Sequence, residues 1–199
     1  MTTKMKNLAL LAILGVFLVI GCSPVSGAGD VAVGSAAPNF TGTDSHGKNH
    51  SLTDFKGKFV VLEWFNPDCP FVKAQYDPKH MQELQKLFTK KGVVWLSVDS
   101  SAPGKQGHLT GDQANAVLKE KGASPTALLL DPEGKIGRLY GAKTTPHMFV
   151  IDPSGKLIYA GAIDDKQGKN YVRAALEEAL AGKPVSVAAT QPYGCSVKY

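Results

Sequence analysis

The sequence predicts an α/β fold, a three-layer sandwich in which a mixed central β-sheet is flanked by helices. Three observations carry this. Two apolar runs rich in β-formers, residues 59–65 and 93–98, suit strands buried on both faces. Segments with helical spacing alternate with strands along the chain. The tight turn Asp152-Pro153-Ser154-Gly155 makes the last two strands antiparallel, whereas helical crossovers allow the earlier ones to be parallel.

The elements follow in chain order. Residues 34–40 are a loop entering a short strand, His46-Gly47-Lys48 is a turn, and residues 51–55 form a short helical turn before Gly57. Strand 59–65 is broken by Asn66-Pro67-Asp68. A helix starts at Pro70, because proline at the first helical position lacks only an N–H that would be unpaired anyway. Pro78 interrupts that helix. Met81, Leu84, Leu87 and Phe88 then recur at helical spacing up to Gly92. Strand 93–98, helix 112–121, strand 126–130, short helix 136–140, and strands 147–151 and 156–160 come next. Residues 170–181 close the series as an amphipathic helix with Val172, Leu176, Ala179 and Leu180 on one face.

Ahead of these elements lies a leader. Lys4 and Lys6 precede an apolar stretch, residues 8–20, relaxed only by Gly15. It is shorter than the roughly 20 residues that span a bilayer and has the length of a signal-peptide core. It ends in Val19-Ile20-Gly21-Cys22-Ser23, which resembles the bacterial lipobox. The expected organisation is a signal peptide over residues 1–21, a lipidated Cys22 with a tether over 22–33, and a single folded domain over 34–199. The resemblance implies attachment to the membrane through a lipid anchor, in the cell envelope, facing the periplasm or the exterior. A plain secretory signal or an uncleaved anchor is the alternative.

Hydrophobic residues make up 43% and charged residues 20%, the balance of a soluble globular domain. The net charge is +5, but Lys4 and Lys6 belong to the leader, leaving +3 on the rest. No Lys/Arg run interleaves with aromatics, so no nucleic-acid partner is expected. No H-x-x-E-H, Walker or dinucleotide glycine pattern appears, and no cofactor or metal is expected from motifs.

The chain has three cysteines, Cys22, Cys69 and Cys195. With Cys22 consumed by lipid, Cys69 and Cys195 are left as a redox or disulfide pair in an oxidising compartment. Cys69 follows a strand and precedes Pro70, so it sits at a helix start, where unpaired backbone N–H groups stabilise a thiolate. The alternative is an inert core cysteine. Thr145-Pro146 stands just before a strand, where a trans proline is also a common use.

Several motifs carry a family resemblance. Gly34-x3-Pro38-x-Phe40, Gly47-Lys48, Ser51-Leu52 and Lys56-Gly57-Lys58 resemble the opening of the peroxiredoxin-like (AhpC/TSA, redoxin) branch of the thioredoxin superfamily. Trp64-Phe65-Asn66-Pro67-Asp68-Cys69-Pro70-Phe71-Val72-Lys73 is similar to its active-site segment. Thr145-Pro146-His147-Met148-Phe149 resembles its cis-proline segment, and Gly194-Cys195-Ser196-Val197-Lys198-Tyr199 its tail. The match covers residues 34–199. It implies a thioredoxin fold, with Thr145 and cis-Pro146 packed beside a reactive Cys69.

The departures matter as well. Asn66 stands where thioredoxins carry a first cysteine and peroxiredoxins a Thr or Ser; it can donate a hydrogen bond to peroxide or thiolate. Leu62 replaces a proline, and no arginine matches the catalytic one of peroxiredoxins; Lys73 and Lys143 are the candidate stand-ins. The expected mechanism starts with attack by Cys69 on a peroxide or disulfide substrate. Cys195 resolves the product, and an external thiol reductant restores the pair. Peroxide reduction, an antioxidant activity, leads this reading, with thiol–disulfide exchange as one alternative. A Cu(I)-binding protein using Cys69, Cys195 and His147 is another. Among lesser candidates, Glu63 is a proton relay or a solvent-facing edge residue. His147 lines the site or is a satisfied histidine. Trp64 and Phe65 wall the thiol, and Asp164-Asp165 is a metal contact or a solvated turn.

Overall fold

The computed structural model describes residues 1–2 and 31–199, so the leader, Cys22 and most of the tether lie outside the described residues. Among the described residues no helix is long and apolar enough to cross a membrane.

The strands are β1 (Thr41–Asp44), β2 (Asn49–Ser51), β3 (Val60–Trp64), β4 (Val94–Asp99), β5 (Ala127–Leu130), β6 (Thr144–Thr145), β7 (Met148–Ile151), β8 (Leu157–Gly161) and β9 (Cys195–Ser196). Seven of them form one sheet in the order β2-β1-β5-β4-β3-β7-β8; β6 and β9 pair separately. β3, β4 and β5 are mutually parallel, and the other pairings are antiparallel. The mixed sheet therefore matches the expected arrangement, with parallel strands central and antiparallel ones at the edges.

Helices α1 (Pro70–Tyr76), α2 (His80–Lys90), α3 (Gly111–Lys121), α4 (Lys135–Leu139) and α5 (Tyr171–Leu180) cover the sheet. The strand alternation sorts the core into two layers. Val61 and Phe65 pack with residues of α1, α2, α3 and α5, whereas Val60, Leu62 and Trp64 pack with Leu52, Ile136 and Tyr140 on the other face. Trp64, Trp95 and Tyr76 are fully buried, each removing enough apolar surface to contribute roughly 2–3 kcal/mol before entropic costs.

The break between α1 and α2 falls at Pro78, as expected. Lys79 adopts a left-handed conformation there (φ 70°), and the Gln82 amide donates to the Tyr76 carbonyl at 2.8 Å. The short strand after residue 40 is β1, and the turn at His46-Gly47-Lys48 leads from it into β2; the two-residue strands β6 and β9 escape the sequence patterns. The tail reads as a loose end in the sequence, but the structure fixes it. Cys195 pairs with Thr145 and Ser196 with Thr144 in an antiparallel ladder. Two-residue strands are too short to show periodicity, and their partner lies far off in the chain.

Candidate active site

β3 delivers the chain to the site, and the Asn66-Pro67-Asp68 loop turns it into α1. Asn66 is buried and orders this loop. Its Oδ1 accepts from the Asp68 N–H at 2.9 Å, and its amide donates to the Gln106 carbonyl at 3.0 Å. These bonds direct Asn66 into the loop scaffold. Cys69 is the N-cap residue of α1, with extended backbone (φ −71°, ψ 123°), and Pro70 takes the first helical position. Its carbonyl accepts from Lys73 N–H at 2.9 Å, closing the first turn.

The Cys69 side chain is fully buried (0% exposed), and its surroundings are not apolar throughout. Its sulfur lies 2.7 Å from the sulfur of Cys195 and 3.1 Å from the Thr145 carbonyl oxygen, to which the thiol donates. Both cysteines are free thiols. The peptide bond between Thr145 and Pro146 is cis. The strand β6 that carries Thr145 also pairs with β9, so one short ladder brings nucleophile, carbonyl and second thiol together. Gly194 makes this approach sterically feasible. At its φ of +141°, a Cβ would collide with the Thr145 carbonyl.

The two sulfurs are electrostatically unequal. Burial pushes the Cys69 thiol up, but hydrogen bonding with the Cys195 thiol, with Thr145 and with the backbone N–H groups of Val72 and Cys195 outweighs it. The net shift is downward. For Cys195, burial adds to the hydrogen bond and charge of Cys69, and together they push its thiol up to about 11; Lys198 and the Phe71 N–H offset part of this. Cys69 is therefore the more acidic thiol of the two and Cys195 the one that holds its proton more tightly.

The tail is held on both sides of Cys195. The Ala102 N–H donates to the Lys198 carbonyl at 2.8 Å, the Tyr199 hydroxyl donates to the Ala142 carbonyl at 2.8 Å, and the Arg138 guanidinium lies 4.6 Å from the centre of the Tyr199 ring. Upstream, the Tyr193 hydroxyl donates to Asp164.

Other candidates are placed elsewhere. Glu63 is fully buried on β3, so it is not an edge residue facing solvent. Tyr76, Trp95, Ser97 and Gln85 all donate to its carboxylate, at 2.7–3.2 Å, in a closed polar cluster. Burial raises its pKa against those four hydrogen bonds. His147 packs its ring 4.4 Å from that of Phe149, in the core layer opposite Cys69, because successive residues of an extended strand face opposite sides. The proposed Cu(I) set of Cys69, Cys195 and His147 is accordingly not assembled. Among the described residues no three His, Cys, Asp or Glu side chains gather for a metal. Trp64 likewise faces away from the thiol, its indole donating to Ser100 Oγ at 3.1 Å, whereas Phe65 shares the Cys69 layer. Lys73 and Lys143 are exposed. The lysine acting on the site is Lys198, which sequence reasoning missed because nothing placed the tail.

With this geometry in view, comparison with known proteins is informative. The AhpC/TSA family matches residues 33–160, which ends before the tail. The chain is 29% identical over 145 residues to the thiol-disulfide oxidoreductase ResA of Geobacillus thermodenitrificans, covering 71% of this chain and 77% of that one. An uncharacterized conserved protein from Geobacillus kaustophilus superposes with a TM-score of 0.74 at 28% identity, covering 84% and 92% of the two chains. A putative thiol:disulfide interchange protein DsbE from Chlorobium tepidum gives a TM-score of 0.54 at 27% identity, over 66% and 85%. The architecture is a thioredoxin fold.

Proposed function

The chain belongs to the AhpC/TSA family, and from that premise we propose that it is a thiol–disulfide oxidoreductase working through a Cys69–Cys195 pair. The observation that carries this reading is the 2.7 Å contact between two free thiols of opposite pKa shift.

In the reducing direction, the Cys69 thiolate attacks one sulfur of a partner disulfide, forming a mixed disulfide and releasing the first partner thiolate. Cys195 then gives up its proton and attacks the Cys69 sulfur, releasing the second partner thiolate. The partner gains two electrons, one proton from Cys195 and one from solvent, and the protein gains an intramolecular disulfide. An external dithiol reverses that oxidation. The Thr145 carbonyl and cis-Pro146 position the Cys69 sulfur. Cys195 is already in place when the mixed disulfide forms, which favours resolution over a long-lived adduct.

Disulfide exchange is preferred to peroxide reduction because the Asn66 amide, the residue suited to bind peroxide, is engaged with the Gln106 carbonyl. Names of relatives such as ResA and DsbE point the same way. The leader and Cys22 add the proposal of an exported lipoprotein, in the oxidising envelope where such exchange has substrates.

Stopped-flow mixing of the reduced protein with glutathione disulfide and, separately, with hydrogen peroxide tests the reading. Exchange with glutathione disulfide that ends in a Cys69–Cys195 bond, together with a peroxide rate no greater than that of free cysteine, supports it. Fast peroxide turnover without disulfide exchange overturns it.

A further inference from the structure

Asp164 stands between the two halves of the dithiol site. It lies in the connection between β8 and α5, and both of its carboxylate oxygens are occupied. Oδ2 accepts from the Gln75 side-chain amide at 2.7 Å, and Oδ1 accepts from the Tyr193 hydroxyl. Gln75 belongs to α1, the helix that starts at Cys69. Tyr193 is two residues ahead of Cys195. One carboxylate therefore ties the helix of the nucleophile to the tail of the second thiol.

Neighbouring groups reinforce the tie. The Tyr193 ring meets Phe71 of α1 edge-on, with centroids 5.8 Å apart. The Lys166 ammonium lies 4.0 Å from the Tyr193 ring centre and 5.3 Å from that of Phe71, spanning both. Burial and the adjacent Asp164 push the Tyr193 phenol up, so it keeps its proton and remains a donor.

We propose that Asp164 is a positioning residue for the dithiol: by holding Tyr193 against α1, it fixes the approach of Cys195 to Cys69 and so sets how readily the two form a disulfide. This rests on the exchange reading above. A hydrogen bond to a carboxylate is stronger than a neutral one and pins direction as well as distance. Losing it frees the tail upstream of Gly194 and lowers the effective concentration of Cys195 at Cys69.

The test is the equilibrium protein dithiol + glutathione disulfide ⇌ protein disulfide + two glutathione thiols, measured for the full chain in glutathione buffers of graded ratio. Tyr193→Phe removes only the hydroxyl, and Asp164→Asn keeps the side-chain shape. Each is expected to lower the equilibrium constant about tenfold, which moves the reduction potential about 30 mV more positive. The double variant is expected to lose no more than the worse single one, since both break one tie. The pH midpoint of Cys69 alkylation is expected to rise in each, because its hydrogen bond with Cys195 loosens; a purely structural role would not move it. Unchanged equilibrium constants and midpoints in both variants overturn the proposal, whatever happens to thermal stability, and so do fully additive losses. A wild-type protein that forms no Cys69–Cys195 bond in any buffer instead defeats the exchange reading on which the proposal stands.

Discussion

The two sulfurs of the site reach it by different routes. Cys69 is placed by the junction of the fully buried central strand β3 with α1, where proline and a helix start fix its position. Cys195 is placed by a two-residue strand that pairs with β6. The first sulfur is set by local chain geometry within a rigid frame. The second depends on a set of long-range contacts to the tail: Tyr193 to Asp164, Ala102 to Lys198, and Tyr199 to Ala142. The difference teaches that the nucleophile's position is inherited from the fold, whereas resolution and part of the nucleophile's acidity belong to the tail. Changes on the tail should alter partner exchange more than folding.

The most severe break of this comparison is Cys69→Ser, which is expected to bring exchange down to the uncatalysed rate in a glutathione disulfide assay while leaving the fold intact. Cys195→Ser should preserve attack but stop resolution. Mass spectrometry is then expected to find a mixed disulfide at Cys69, where the wild type shows the internal bond. Cys195→Ala, which unlike serine leaves no donor, removes the hydrogen bond that lowers the Cys69 pKa, so the Cys69 alkylation midpoint is expected to move upward.

Gly194→Ala sharpens the comparison from the tail side. At φ +141°, with the Thr145 carbonyl in the way, an added methyl group has to push β9 off β6. A local cost of about 1–3 kcal/mol is expected. Iodoacetamide labelling of Cys69, which is fully buried in the wild type, should accelerate roughly tenfold, with only a small fall in melting temperature. An equally large loss of global stability would mean that the tail is part of the core and not a separate cover.

The smallest expected effect lies in the frame. Glu63 has its pKa raised by burial, so the folded state holds that proton more tightly than the unfolded chain does. Between the unfolded pKa and the higher folded one, the unfolded chain carries fewer protons, and stability falls as pH rises through that window. Glu63→Gln is expected to flatten this part of the stability profile, read by denaturant unfolding at several pH values. It should also cost about 1 kcal/mol at low pH, because the amide turns two N–H donors, where the protonated carboxyl turns one O–H, toward the four donors around it.

Much of the frame was legible in the sequence. Residues 59–65 and 93–98 announced themselves as buried strands because they are apolar and rich in β-formers, and Pro78 and Gly92 marked helix limits by backbone chemistry. Cys69 was legible for the same reason, as a cysteine between a strand and a proline. Placement of the tail was not. Nothing in Gly194-Cys195-Ser196 shows a period, and its position depends on contacts with residues 50 or more positions away, such as Thr144, Thr145 and Lys143. Asp164-Asp165 looked like a solvated turn because adjacent carboxylates diverge; only the fold shows that one of them meets Tyr193 and Gln75. The face of Trp64, expected beside the thiol, was not legible, since strand alternation fixes sides only once the register is known, whereas His147 is the satisfied histidine of its two readings.

The division of labour between the two sulfurs is tested most directly by residue-resolved alkylation of the reduced protein across pH, with mass spectrometry reading Cys69 and Cys195 separately. Cys69 is expected to titrate below the ordinary thiol value of 9.0, and Cys195 near 11. A reversed order, with Cys195 the more acidic thiol, would contradict the assignment of Cys69 as the attacking group.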